Sequence, residues 1–191
     1  MSEYRRGKQV ASLDLRKCTA LQGSHNHQNA CAAYAAVRSL GLGPRSIEKA
    51  LESFNGLSHR SQLVTEIGGV VFINDSKATN VDSAMKALAT FSKVRWICGG
   101  EQKEEDISRL NNALTNVKKA YVIGANTEKF SSQISCEFEN CNTMDIAVQK
   151  AFRDAQAGDT ILLAPAAASF DQYGSFEERG QAFEHEIKKL V

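Results

Sequence analysis

Residues 70–80 read VVFINDSKATN, and this stretch decides the fold. The apolar run Val70–Ile73 has the character of a buried strand, and it leads straight into Asp75, Ser76, Lys77, Ala78 and Thr79. Behind them an amphipathic pattern begins at once, with Val81, Ala84, Met85, Leu88 and Phe91 recurring at helical spacing. Strand, short polar turn, helix start is the arrangement at which open α/β sheets collect ligands, outside the carboxyl ends of their strands. Lys77 supplies a cation, Asp75 an anion two positions earlier, and Ser76 and Thr79 hydroxyls, a set able to steer phosphates and small carboxylates. The same residue types also cap helices for structural reasons alone. The turn gains weight from its company: His59-Arg60 upstream, Gly99-Gly100-Glu101-Gln102-Lys103 after the next strand, and Ala166–Phe176 after the last one.

Outward from that turn the pattern alternates. Leu63–Ile67 and Val70–Ile73 flank Gly68-Gly69, a hairpin signal. Val94–Cys98 reads as a buried strand, and Ile107, Leu110, Leu114 and Val117 as the face of a helix. Ala120–Ile123 is a strand, followed by a short weaker helix and a short strand. Met144, Ala147, Val148, Ala151, Phe152 and Ala155 mark another helix, Gly158-Asp159 ends it, Thr160–Ala164 is the last strong strand, and Phe176–Leu190 is a charge-rich helix. Alternating strands and helices imply an α/β fold, a mostly parallel sheet with helices on both faces.

The first 55 or so residues differ. Lys8–Leu13 and Lys17–Leu21 read as short strands, Asn26–Leu40 as a helix of small residues, and Ile47–Phe54 as a second helix after Gly41-Leu42-Gly43-Pro44. Small-residue helices pack closely against something large, and so short a piece is marginal as a free domain. The expected organisation is therefore residues 1–56 as the tail of a larger domain and residues 57–191 as a complete one.

Composition sets the class. A hydrophobic share of 42% with 24% charged residues is that of an ordinary globular protein. A net charge of +1 gives no broad field to recruit nucleic acid or a membrane surface. No apolar run approaches the roughly 20 residues of a membrane span, and MSEYRRGKQV lacks the apolar core of a signal peptide. Five cysteines, an odd number without CxxC spacing, fit reduced thiols of a cytoplasmic protein. His25 and His27 form an HxH pair, but no carboxylate or cysteine follows at ligand spacing, so no metal site is expected.

His25-Asn26…Asn29-Ala30, Phe54–Arg60 (FNGLSHR) and Asn74–Asn80 (NDSKATN) resemble the Mur ligases of peptidoglycan synthesis. Gly99–Lys103 and Ala166–Tyr173, with Phe176-Glu177…Arg179-Gly180, resemble the D-glutamate-adding branch of that family. The likeness runs from about Leu21 to the end, in five ordered blocks.

What the resemblance implies is a Rossmann-like C-terminal domain preceded by the end of an ATP-binding central domain. The family forms an amide bond: a substrate carboxylate takes the γ-phosphoryl group of ATP, the D-glutamate amine attacks the acyl phosphate, and phosphate leaves. Negative charge gathers at every stage, so cations and N–H donors should converge on it. By this resemblance Asn29, Arg60, Asp75 and Lys77 contact ATP. Asn29 lies toward the adenine, while Asp75 and Lys77 lie near the ribose and phosphates. Thr79, Lys103, Ser169, Phe170 and Phe176 form the D-glutamate pocket.

The sequence departs from the family in two details: Gln102 stands where aspartate is common and Ala167 where cysteine is usual. A larger departure is the lack of any GxxxxGK[ST] phosphate loop. The UDP-binding domain, most of the central domain, the family's carbamylated lysine and its magnesium-holding residues are also missing. The expectation is a C-terminal portion whose intact enzyme uses ATP, magnesium, D-glutamate and UDP-muramoyl-alanine, and which alone is inactive. Two alternatives stand beside it. One is a fragment of another Mur or folylpolyglutamate-type ligase, against which the absence of a DNPR-type motif and the presence of Lys103 argue. The other is a non-catalytic module binding nucleotide or D-glutamate.

Overall fold

The computed structural model describes residues 1–191, which divide into two compact units, Met1–Gly56 and Leu57–Val191. In the first, β1 (Ser2–Arg5) and β2 (Lys8–Ser12) form an antiparallel hairpin. Helices α1 (Ser24–Ser39) and α2 (Pro44–Glu52) follow. α1 stops where Gly41 takes a φ of +92°. The amides of Gly41 and Leu42 then donate to the carbonyls of Arg38 and Val37, the paired bonds with which glycine closes a helix. Pro44 opens α2 at the position where a missing N–H costs nothing. Along α1 only Ala30 and Tyr34 are buried, and Ala32, Ala33, Ala35 and Ala36 face outward.

One sequence expectation needs correction in this unit, and one strand is not foreseen. Lys17–Leu21 is not a strand but lies within two 3-10 turns, Leu15–Lys17 and Thr19–Leu21. The Asp14 carboxylate accepts the Arg16 amide and starts the first turn, a local bond that competes with strand pairing. β1 carries no apolar alternation, and only its pairing with β2 makes it a strand.

The second unit holds a six-stranded sheet in the order β3-β4-β8-β5-β6-β7. Its strands are β3 (Gln62–Ile67), β4 (Val70–Asn74), β5 (Val94–Gly99), β6 (Val117–Ile123), β7 (Phe138–Asn142) and β8 (Thr160–Leu163). All pairs are parallel except the β3–β4 hairpin. There Gly68 and Gly69 both adopt positive φ, +58° and +78°, as a two-residue turn matching strand twist requires.

Period-2 alternation sorts the sheet's side chains. Ile73, Trp96, Cys98, Val122 and Leu162 meet α3 (Val81–Thr90), a 3-10 segment (Ser108–Asn116) and α4 (Thr127–Ser131) on one face. Phe72, Ile97, Tyr121, Ile161 and Leu163 meet α5 (Met144–Asp154) and α6 (Phe176–Lys188) on the other. The segment expected as a helix through Val117 is a 3-10 stretch ending at Asn116, and Val117 already belongs to β6. Ile107 and Leu110, three apart, still bury together because residues i and i+3 share a side in a 3-10 helix as they do in an α-helix, and Leu114 is buried as well. No helix is long and apolar enough to cross a membrane.

Candidate functional site

Because β4, β8 and β5 are adjacent and parallel, their carboxyl ends open on one rim. The three segments that the sequence singled out leave from that rim. α3 is capped by Asn80, whose side chain accepts the Ser83 amide at 2.9 Å. Asp75, Ser76 and Thr79 are therefore not its cap, and the purely structural account of the turn loses its main support.

Two of the three segments are tied directly by Arg179, which α6 carries into the interior at 1% exposure. Its Nε donates to Ser76 Oγ (3.1 Å), Nη1 to the carbonyls of Ala167 (3.1 Å) and Ala168 (3.0 Å), and Nη2 to the carbonyl of Ser76 (3.0 Å). No carboxylate bonds to it, and burial lowers its pKa to about 10. Fixed backbone dipoles take the place of water around the charge. Ala168 also exchanges two backbone bonds with Glu101, joining the loop after β8 to the loop after β5. This close approach requires Gly100, since a Cβ there would stand 2.3 Å from the Ala168 carbonyl oxygen. Ala166 takes a φ of +57° and its amide donates to the Ala78 carbonyl, which ties the same loop to the turn after β4.

Asp75 sits at the end of β4 and accepts the Ser61 amide at 3.2 Å. Burial pushes its pKa up to about 6, against the opposing pull of that bond and of the Arg60 charge. A carboxylate so perturbed by burial at a strand end is a candidate functional position. Lys77 Nζ lies 4.0 Å from the centroid of the Phe176 ring, a cation–π contact. The Lys77 amide donates to the carbonyl of His59, a buried residue with a φ of +62°. Ser61 is also at positive φ, +45°. Three non-glycine residues in this conformation around one rim represent stored strain, which clusters at binding sites.

The sequence-predicted residues fall as follows. Lys77 and Phe176 are in contact, and Asp75 and Arg60 are electrostatic neighbours. Thr79 is half-buried and its amide bonds the Lys77 carbonyl. Ser169 is buried, its carbonyl accepting the amides of Gln172 and Tyr173, while Phe170 beside it is 68% exposed. Lys103 is exposed on the loop after β5. Asn29 is an exposed residue of α1 in the first unit. A cavity of about 380 Å³ in the second unit is lined by Thr143, Asp145, Tyr173 and Glu186 among others, and by none of the predicted residues. No group of three or more His, Cys, Asp or Glu side chains could hold a metal ion.

Sequence reasoning gave no role to Arg179, Asn74 or Gly180. The signal available was the Arg179-Gly180 pair inside an otherwise acidic first helical turn. Its purpose emerges only when α6 is laid against β4.

Residues 59–167 match the family described as Mur ligase, glutamate ligase domain. Over all 191 residues the chain is 59% identical to the UDP-N-acetylmuramoylalanine–D-glutamate ligase of Ruegeria pomeroyi, and 60% identical to that of Roseobacter denitrificans. In both comparisons it spans 100% of its own length but 41% of the relative's. Among solved structures, the UDP-N-acetylmuramate–alanine ligase MurC of Thermotoga maritima aligns over 98% of this chain and 42% of its own, with a TM-score of 0.67 and 18% identity. FolC of E. coli aligns over 98% and 44%, with a TM-score of 0.66 and 24% identity. At these identities the two structures attest the α/β fold.

Proposed function

The chain belongs to the Mur ligase family, and from that membership we propose that it is the C-terminal portion of an ATP-dependent ligase that joins D-glutamate to UDP-N-acetylmuramoyl-L-alanine in peptidoglycan synthesis. The observation that carries this reading is the end-to-end likeness to relatives of that activity, of which the chain spans about two fifths. We assign residues 57–191 to the domain that delivers the amino acid and residues 1–56 to the end of the ATP-binding domain.

In this reading the rim of the second unit has two halves. Asp75 accepts a ribose hydroxyl, and Lys77 and Arg60 place cations against phosphate oxygens, where charge grows as the phosphoryl group moves. Lys103 offers a compact ammonium to a carboxylate of D-glutamate, with Thr79 and Ser169 hydroxyls and the backbone at Phe170 and Phe176 completing that side. Asn29 of the first unit is proposed to face the adenine. The amine of D-glutamate, held by its carboxylates, is thereby oriented toward an acyl phosphate formed from the partner substrate, and the gain is one of proximity.

Magnesium belongs to this chemistry in the family, and the residues that hold it there have no counterpart among the blocks matched in this chain. The chain also includes no phosphate loop. The 191-residue chain is therefore expected to bind and orient without turning over.

The test is calorimetry of the purified chain with D-glutamate, L-glutamate and ATP at millimolar concentration, beside an assay for ATP-dependent joining of D-glutamate. Heat with D-glutamate exceeding that with L-glutamate, and no joining, is the expected pair of results. Silence with both D-glutamate and ATP, or turnover by the chain alone, overturns the assignment.

A further inference from the structure

The Lys77 ammonium must stand in a defined place to meet a phosphate, yet it ends a flexible four-carbon stem. The structure surrounds it with a fixed chain of contacts that begins two layers deeper. Asn74, the last residue of β4, is fully buried. Its side-chain oxygen accepts the Ser76 amide at 3.1 Å, which settles the orientation of the amide group. The Nδ2 group therefore faces His59 Nδ1 at 3.0 Å, the Gly180 carbonyl at 3.1 Å and Glu184 Oε1 at 2.9 Å. Its two protons serve three acceptors, so one is shared; a proton on His59 Nδ1 would point at this N–H group 3.0 Å away, so Nδ1 accepts and the ring proton resides on Nε2.

His59 is held on every side. Its amide donates to Gln62 Oε1 at 2.8 Å, its carbonyl accepts the Lys77 amide at 3.0 Å, and its ring meets the Phe176 ring edge-on, 6.3 Å between centroids at 80°. A Cβ on Gly180 would fall 2.2 Å from His59 Nδ1, so the approach of α6 to this ring depends on that glycine. Phe176 is pinned in turn, its carbonyl accepting Ser76 Oγ at 2.7 Å, and Lys77 Nζ stands 4.0 Å over its ring.

We propose that Asn74 and His59 are positioning residues: the amide of Asn74 fixes the Nε2–H tautomer and the place of the His59 ring, that ring fixes Phe176, and Phe176 holds the Lys77 ammonium where the nucleotide phosphates arrive. The last clause rests on the reading of Lys77 as a nucleotide ligand. The positioning itself stands on the contacts alone. His59 touches no substrate in this scheme; it acts through Phe176.

Nitrogen-15 NMR of the histidines in the unaltered 191-residue chain reads the tautomer directly, without any variant that might misfold. The expected result is Nε2–H for His59, and Nδ1–H overturns the proposal. In the same sample the Lys77 ε-methylene protons should be displaced upfield by the Phe176 ring. That displacement should vanish in Phe176→Leu, return in Phe176→Tyr and shrink in Asn74→Asp, which keeps the acceptor for Ser76 but loses the donor to His59. An unchanged Lys77 signal in Phe176→Leu refutes the relay. Addition of ATP then separates the two readings. A relay that is intact but a Lys77 signal indifferent to ATP removes the nucleotide role and leaves the positioning standing.

Discussion

Replacing Asp75 by asparagine should make this protein more stable at neutral pH while damaging its site. In the fold, burial lifts the Asp75 pKa from the usual 3.8 to about 6. A carboxyl whose pKa is raised on folding is best tolerated protonated, so its contribution is most favourable below pH 4 and is lost as pH climbs through 6. At about 1.4 kcal/mol per pH unit of displacement, ionised Asp75 costs about 3 kcal/mol at pH 8. The carboxamide introduced by D75N cannot ionise, and its oxygen can still accept the Ser61 amide that Asp75 accepts at 3.2 Å. The exposed Arg60 loses a partner, but attractions of that kind at the surface amount to well under 1 kcal/mol. Urea unfolding at a series of pH values from 4 to 8 measures the difference. D75N should exceed the parent by about 2–3 kcal/mol at pH 8, and the gap should close toward pH 4. A gap independent of pH, or a variant weaker than the parent at pH 8, would show that burial of this charge is not what the fold resists.

Other expectations follow from the same rim. Gly100→Ala drives a Cβ to 2.3 Å from the Ala168 oxygen at a φ of +127°, and should lower stability by about 3 kcal/mol or more in denaturant unfolding; a loss under about 0.5 kcal/mol contradicts the close approach. Arg179→Met leaves the carbonyls of Ser76 and Ala167 without donors, and that of Ala168 with the Glu101 amide alone, and should cost about 2–4 kcal/mol by the same measurement. Lys103→Ala, at an exposed position, should leave stability within about 0.5 kcal/mol. In calorimetry it should weaken D-glutamate binding at least about tenfold, or about 1.4 kcal/mol; unchanged affinity removes Lys103 from the pocket.

What could be read from the residues, and what could not, divides along the range of the forces involved. The hairpin at Gly68-Gly69 and the helix from Val81 are specified by neighbours in sequence, through φ preference and apolar spacing, and both stand in the structure. Lys17–Leu21 misleads because one local bond, Asp14 to the Arg16 amide, outweighs a weak extended preference. The segment up to Val117 misleads because a 3-10 helix and an α-helix share the i, i+3 step, so apolar spacing alone does not tell them apart in so short a stretch, and because a strand begins directly at Val117. At the site, the turn after β4 declares itself by its residue types. The bonds that shape it do not, since Asn74 and Ser76 reach partners about 100 positions away in α6. A side chain such as Arg179, whose acceptors are all backbone or hydroxyl oxygens, leaves no matching acidic residue in the sequence to betray its purpose.

That guanidinium has a dynamic consequence. Because one side chain ties the turn after β4 to the stretch after β8, and Ala168 in turn clasps Glu101, none of the three can flutter by itself. Solvent can enter only when the whole knot loosens at once. The amide protons of Glu101 and Ala168 should then trade with deuterium at one shared pace, and a ligand seated on this rim would slow both by the same factor.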